Sequence, residues 1–316
     1  MISKDPKASF IIPVYNRAET VRVAIDSALN QQTDIPYELL VVDDGSDDST
    51  ADAVKKYGNK IRLIQKDNGG AGSARNAGVK ASESEIMVFL DSDDSATPSR
   101  IEKQVGYMMS QQDIGATFGG VLLEGSKSDS FVEDDFSRIE DFLGRLIGAE
   151  EGPMLWNASS AIRKEAYIDA GMQNEDMRCG EDFDFWCRAA RRMNASYSKE
   201  IFTVVGRGGS DHISSSTEAY SQKVITLTKN YQSYGPELSD EKRRRAHRNI
   251  LRAINSLLRN EWANGDRKAY DTLTSYSHLM PMYSKCLWRV ILSLFPGSAG
   301  GILRSAIRQH RAKRYE

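Results

Sequence analysis

Little in this sequence points toward a membrane span, a disulfide scaffold or a nucleic acid. Only three cysteines, Cys179, Cys187 and Cys286, occur among 316 residues. None forms a CxxC pair, and three cannot all be joined within the chain. A reducing, cytoplasmic setting is therefore expected. No stretch reaches the ~18 apolar residues of a membrane span. The nearest, LWRVILSLF (287–295), is too short and contains Arg289. The opening MISKDPKASF lacks the pattern of a secretory signal. There is no internal repeat and no low-complexity tract. The formal net charge is only −2, but it is unevenly spread. Residues 201–316 hold 19 Lys and Arg against 9 Asp and Glu, a net of +10, which leaves −12 on residues 1–200. The basic part suits an anionic partner such as a membrane surface or a diphosphate. No recognition motif accompanies that charge, so nucleic acid is not an expected partner.

What is present is 40% hydrophobic and 27% charged, the composition of a globular chain. Its first half alternates. ASFIIPV (8–14), YELLVVDD (37–44), IRLIQ (61–65) and IMVFL (86–90) are short apolar runs of strand type. Between them lie helical patterns at 19–31, 48–58 and 72–82. Strands alternating with amphipathic helices imply a mostly parallel sheet with helices on both faces. Further on, 98–109 reads as a helix, 114–124 as a strand, 125–135 as a polar, acidic loop and 137–148 as a short helix. Beyond residue 216 the pattern is helical throughout, at 217–234, 239–262, 266–278, 283–295 and 299–314. The expected division is an α/β region over 1–215 and a basic α-helical region over 216–316.

The stretch FLDSDD (89–94) places three carboxylates within four residues at a strand end. Like charges so spaced raise one another's pKa unless something positive sits among them. Either they cap a turn or they hold a metal. In a parallel sheet, ligands bind at the carboxyl ends of the strands. PVYN (13–16), VVDDGSDD (41–48) and FLDSDD all end strands, so the topology brings all three to one rim. That favours the metal.

Five segments, FIIPVYNR, VVDDGSDDST, NGGAGSARNAG, FLDSDD and GEDFDFWCRA, occur in this order. Together they resemble the family 2 glycosyltransferases over roughly residues 8–215. The resemblance implies the GT-A fold, a Rossmann-like α/β architecture, and transfer of a sugar from a nucleotide-diphosphate donor with inversion at the anomeric carbon. UDP-sugars are favoured as donors. It also implies that the DXD motif is Asp91-Ser92-Asp93, serving a divalent Mn²⁺ or Mg²⁺.

Each site residue then has an expected role. Tyr15 stacks on or flanks the base, or is a buried rim aromatic. Pro13 offers no amide donor, so the base can pack beside it. Asp44 accepts from a base ring nitrogen, and Asp43 braces the turn. The Gly-rich loop 68–78 enters a helix, which favours an anion. Arg75 contacts the diphosphate or base, or is a solvated helix charge. Asp93 faces the metal. Asp91 contacts ribose or the metal, beside Ser92, and Asp94 reaches the metal or caps the turn. Asp182 is the general base, and Glu181 shapes the acceptor site. The alternative for both is helix capping. Trp156 and Asn157 receive the acceptor, a glycan or lipid-linked hydroxyl, or Trp156 is simply core. His212 is a third metal candidate in a flexible loop, and Arg207 a candidate diphosphate contact.

The runs KRRRAHR (242–248) and ILRSAIRQHRAKR (302–314) either meet an anionic membrane at its inner face or pack on the chain's own domain. The implied activity is surface polysaccharide or glycolipid synthesis. Two other readings compete: a sugar nucleotidyltransferase, and a nucleotide-sugar-binding scaffold without catalysis. The nucleotidyltransferase wants a basic Gly-rich loop directly after the first strand, where PVYNRAET stands instead.

Overall fold

A computed structural model of the chain describes residues 5–124, 135–206 and 217–263. The expected acidic loop (apart from Asp135), Arg207, His212 and the three last expected helices lie outside the described residues. The α/β region opens with β1 (Ala8–Val14), α1 (Val21–Leu29), β2 (Tyr37–Asp43), α2 (Thr50–Lys55), β3 (Arg62–Gln65), α3 (Ala71–Ala81), β4 (Ile86–Phe89) and β5 (Ser95–Ala96). A widened helical turn, Ile101–Val105, runs into α4 (Gly106–Ser110), followed by β6 (Ile114–Leu123), β7 (Ser137–Arg138), α5 (Phe142–Ile147), β8 (Ser160–Arg163), α6 (Lys164–Asp169), α7 (Glu181–Ala189) and β9 (Asn194–Val205). Two long helices close the described chain, α8 (Thr217–Tyr234) and α9 (Asp240–Ala263).

The nine strands among the described residues form one sheet, ordered β3-β2-β1-β4-β8-β6-β9-β5, with β7 also paired to β9. The first four are mutually parallel, as helical crossovers require. The expected parallel character stops there. β8 runs antiparallel to both β4 and β6, while β6 and β9 are parallel.

The strands read as unbroken apolar runs because both faces are covered. Phe10 and Ile12 of β1 pack with Val21, Ala24 and Ile25 of α1 on one face. Ile11, between them, packs on the other face with Val79 of α3 and Phe185 and Trp186 of α7.

A third core lies under the helical region. Val224, Leu227, Ala246, Ile250 and Ile254 pack against Leu143 and Ile147 of α5 and Cys187 of α7. The expected boundary near 215 is therefore crossed by a shared apolar core. Part of the basic run is spent here: Lys242 pairs with Asp141 at 3.4 Å and also with Glu150. Arg245 pairs with Glu151 and Glu241. Arg244 and Arg248 remain exposed. Among the described residues, no helix is long and apolar enough to cross a membrane.

Candidate active site

β2, β1 and β4 are parallel neighbours, so the residues that follow them share a rim. Tyr15 stands there 46% exposed. It is an open face beside the buried Pro13, not a buried rim aromatic. The turn after β2 is stapled to Asn16, which donates from Nδ2 to Asp47 and accepts from the Asp47 amide. Asp43 does brace this turn, accepting from the Ser46 amide at 3.0 Å and from Gln65 at 3.2 Å.

Asp44 is 3% exposed. Its carboxylate, expected to meet a base, is held here by the chain itself. Lys66 Nζ donates to it at 2.7 Å, the Gly70 amide at 2.7 Å and the Gly69 amide at 3.0 Å. The Gly-rich loop was expected to favour an anion at its helix start, and the anion that its amides hold is the chain's own Asp44. Two of its amides are committed to Asp44, because a buried carboxylate must find donors. Gly70 permits this with φ +89°, a conformation that side chains disfavour.

Arg75 is not a solvated helix charge either. It is 5% exposed and spans the site. Nη2 donates to Asp91 at 2.8 Å, and Nη1 donates to Glu181 at 2.9 Å and to Gln173 Oε1 at 3.2 Å. Burial alone would lower its pKa, but Asp91, Glu181 and Asp182 outweigh burial and hold it raised. One guanidinium thus ties the end of β4 to the start of α7. Gly72, one turn before Arg75, lets Glu181 come this close: a Cβ there would lie 3.0 Å from Glu181 Cγ. Glu181, expected at the acceptor, is a buried strut to Arg75, 7% exposed.

The four residues of the DSDD turn differ. Asp91 is taken by Arg75. Ser92 is buried. Asp94 accepts from the Gly206 amide at 3.1 Å. Burial, then the charges of Asp91 and Asp93, push its pKa up to about 8. Nearby Arg100 relieves it little. All of that guanidinium's hydrogen bonds go to neutral acceptors: Gln104, Thr203 and the carbonyls of Ala158, Phe89 and Ser160. Asp93, partly buried, accepts no hydrogen bond from the described residues.

Such a turn is short of positive charge and rich in hard oxygen, which fits Mg²⁺ or Mn²⁺. No three His, Cys, Asp or Glu side chains among the described residues converge on a metal position. Further ligands would have to come from substrate, water or residues outside the described set.

Asp182 opens α7, partly buried, its carboxylate accepting from the Phe183 amide at 2.6 Å. Burial and the adjacent Glu181 push its pKa up to about 6, against the pull of Arg75. That suits a base working near neutrality. One turn along α7, Trp186 Nε1 donates to Asn157 Oδ1 at 3.1 Å, so Asn157 is joined to the helix that carries Asp182. Trp156 beside it is 39% exposed and is not core.

Six buried side-chain atoms lack hydrogen-bond partners among the described residues, and three of them lie in this cluster: Arg75 Nε, Asn157 Nδ2 and Gln173 Nε2. Trp186 and Arg75 can only donate, which fixes both amide oxygens and leaves the NH₂ groups orphaned. Each orphan costs about 1–3 kcal/mol.

Sequence reasoning missed Lys66, Gln173 and Arg100. Lys66 directly follows β3, so the strand-end argument applied to Asp44 and Asp91 could have found it. Gln173 carries no motif.

Comparison with known proteins agrees with this geometry. The model of the family described as Glycosyl transferase family 2 matches residues 9–171. An uncharacterized glycosyltransferase of Rickettsia typhi is 33% identical over 200 residues, 62% of each chain. The hyaluronan synthase of Pasteurella multocida is 40% identical over 104 residues, 32% of this chain and 11% of the synthase. The chain spans 39–62% of the length of the Rickettsia glycosyltransferases it matches. Among solved structures, S. aureus TarS 1–349 in complex with UDP-GlcNAc aligns with a TM-score of 0.56 at 20% identity, covering 80% of this chain and 81% of that one. The mannosyltransferase PcManGT from Pyrobaculum calidifontis, in complex with GDP-Man and Mn²⁺, aligns with a TM-score of 0.55 at 18% identity, covering 90% and 83%. The two structures show the shared GT-A fold. With a family match over more than half its length and the acidic rim on that fold, the chain belongs to glycosyl transferase family 2.

Proposed function

We propose that this chain is an inverting, metal-dependent glycosyltransferase. It moves a sugar from a nucleotide-diphosphate sugar, UDP-sugars favoured, to a hydroxyl of a glycan or lipid-linked acceptor. The observation that carries the reading is the Arg75 bridge, which draws the DSDD turn and the Glu181–Asp182 helix start into one cluster. The donor names in the TarS and PcManGT complexes support the substrate class. The hyaluronan synthase match supports polysaccharide synthesis as the setting.

In this reading Tyr15 and Pro13 receive the nucleoside, Asp44 fixes the Gly-rich loop beside them, and Arg75 and Ser92 line the path to the sugar. Asp93, with Asp91 and His212, would hold Mn²⁺ or Mg²⁺. When bound, the cation neutralises the diphosphate and stabilises its departure. Asp182 takes the proton of the acceptor hydroxyl. That oxygen forms its bond to the anomeric carbon while the bond to the diphosphate oxygen breaks on the opposite face, its electron pair leaving with the diphosphate. Trp156 and Asn157 flank the acceptor. Working at the inner face of the cell membrane suits the exposed Arg244 and Arg248.

The test is release of nucleoside diphosphate by the full chain from a panel of UDP- and GDP-sugars, with glycan and lipid-linked acceptors, with Mn²⁺ and with EDTA. One donor class turned over only with metal is the expected result. Tight donor binding without turnover on any acceptor would favour the scaffold reading.

A further inference from the structure

Gln173 sits in the segment between α6 and α7 and is 2% exposed. Its backbone is clamped on both sides by one residue of α3. Asn76 Oδ1 accepts from the Gln173 amide at 3.1 Å, and Asn76 Nδ2 donates to the Gln173 carbonyl at 2.8 Å. Tyr167 holds Asn76 in turn, donating to the same Oδ1 at 2.7 Å. The residue before it, Met172, has φ +53°, a left-handed conformation that a side chain adopts at a cost. So much fixed backbone serves to aim one amide. Its Oε1 accepts from Arg75 Nη1, the nitrogen that also pairs with Glu181. Its Nε2 has no acceptor, and neither has Arg75 Nε in the same cluster.

We propose that Gln173 is a specificity-determining residue of the donor-sugar subsite, setting Arg75 with its amide oxygen and presenting its amide N–H to an oxygen of the transferred sugar. The proposal rests on the reading of this cluster as the transfer site. The chemical class follows from the geometry. Two orphan N–H donors beside carboxylates call for a neutral oxygen acceptor, a ring hydroxyl or an acyl carbonyl, and a further cation would find no ligand in either. The terminal torsion of a glutamine is soft, so the amide can turn toward an entering oxygen while Asn76 keeps its backbone in place. A site built to hydrogen-bond a substrate group discriminates strongly against analogues lacking it.

The test is calorimetric titration of the full chain with Mn²⁺ against UDP, GDP, UDP-glucose, UDP-galactose, UDP-GlcNAc, UDP-GalNAc and GDP-mannose. Wild type is compared with Gln173→Leu and Gln173→Glu. The Leu variant removes both hydrogen-bonding functions. The Glu variant keeps an oxygen for Arg75 and loses the N–H. Both variants are expected to bind the bare nucleoside diphosphate within twofold of wild type. Both should lose about tenfold in affinity for the preferred nucleotide sugar and flatten the preference across the panel. A thermal melt of each variant checks folding, and the Glu variant carries the test if the Leu variant does not fold. Equal loss of nucleotide and nucleotide-sugar affinity, or an unchanged sugar preference, overturns the proposal. Absence of any nucleotide binding by wild type overturns the transfer-site reading and this proposal with it.

Discussion

Two acidic strand ends flank β1 on the same rim, and the chain treats them in opposite ways. Asp43 and Asp44, at the end of β2, are each tied by donors of the chain itself: two glycine amides and Lys66 on Asp44, Ser46 and Gln65 on Asp43. Asp91–Asp94, after β4, are left short. Arg75 takes Asp91, Asp93 accepts no hydrogen bond from the described residues, and Asp94 is pushed up to about 8. Both stretches read alike as sequence, a hydrophobic strand running into aspartates. What separates them is whether the chain neutralises its own charge. A satisfied carboxylate can serve architecture, and an unsatisfied one on an open rim waits for a cation or a substrate.

The largest expected effect lies outside both strand ends and shows what they serve. Asp182→Asn should lower transfer by at least about a hundredfold, the scale of a lost general base. Nucleotide-sugar affinity should stay within a few fold. Loss of binding in step with loss of rate would place Asp182 in donor recognition instead.

A smaller effect is the pH dependence of that base. Asp182 acts deprotonated, and its pKa is raised to about 6. Transfer should therefore fall about tenfold per pH unit below 6 and level off above it. A rate flat between pH 5 and 8 would contradict the assignment.

The smallest effects break the comparison most directly. Asp44→Asn removes the charge that Lys66 and two amides were placed to meet. It should cost about 2 kcal/mol by denaturant unfolding. Asp94→Asn keeps an oxygen for the Gly206 amide and removes an acid whose ionised form burial, Asp91 and Asp93 disfavour, with little relief from Arg100. In EDTA it should leave stability within about 0.5 kcal/mol or raise it. If both substitutions cost the same, the contrast between the two strand ends is wrong.

Much of this was legible in the sequence, and the physics says which part. β1 coincides with its expected span because a strand buried on both faces is an unbroken apolar run. The parallel order to β4 follows from alternation with helices. The antiparallel insertion of β8 does not: SAIR is four residues long, and its partners are set by distant contacts. The helix expected over 137–148 begins at 142, where Asp141 caps it through the Gly144 amide at 2.7 Å, and the residues before it pair with β9 instead.

Within the site, chain direction put the DSDD turn on the rim, and the resemblance to family 2 glycosyltransferases singled out Asp93 within that turn and Asp182 at its helix start. Arg75 was found as a residue but not as a bridge, since helical spacing does not say that Asp91 and Glu181 wait on either side of it. Gln173 was invisible. Its aim is set by Asn76, 97 residues earlier, and no local pattern records that clamp.

The central claim is that the DSDD turn takes a cation together with a nucleotide diphosphate. The most direct test is calorimetric titration of wild type and Asp93→Ala with UDP, GDP, dTDP and CDP, each with Mn²⁺ and with EDTA. The account predicts tight binding of one nucleotide by wild type with Mn²⁺, lost in EDTA and lost in Asp93→Ala. Equal affinity with and without the metal, or an Asp93→Ala variant that keeps its Mn²⁺ dependence, would contradict it.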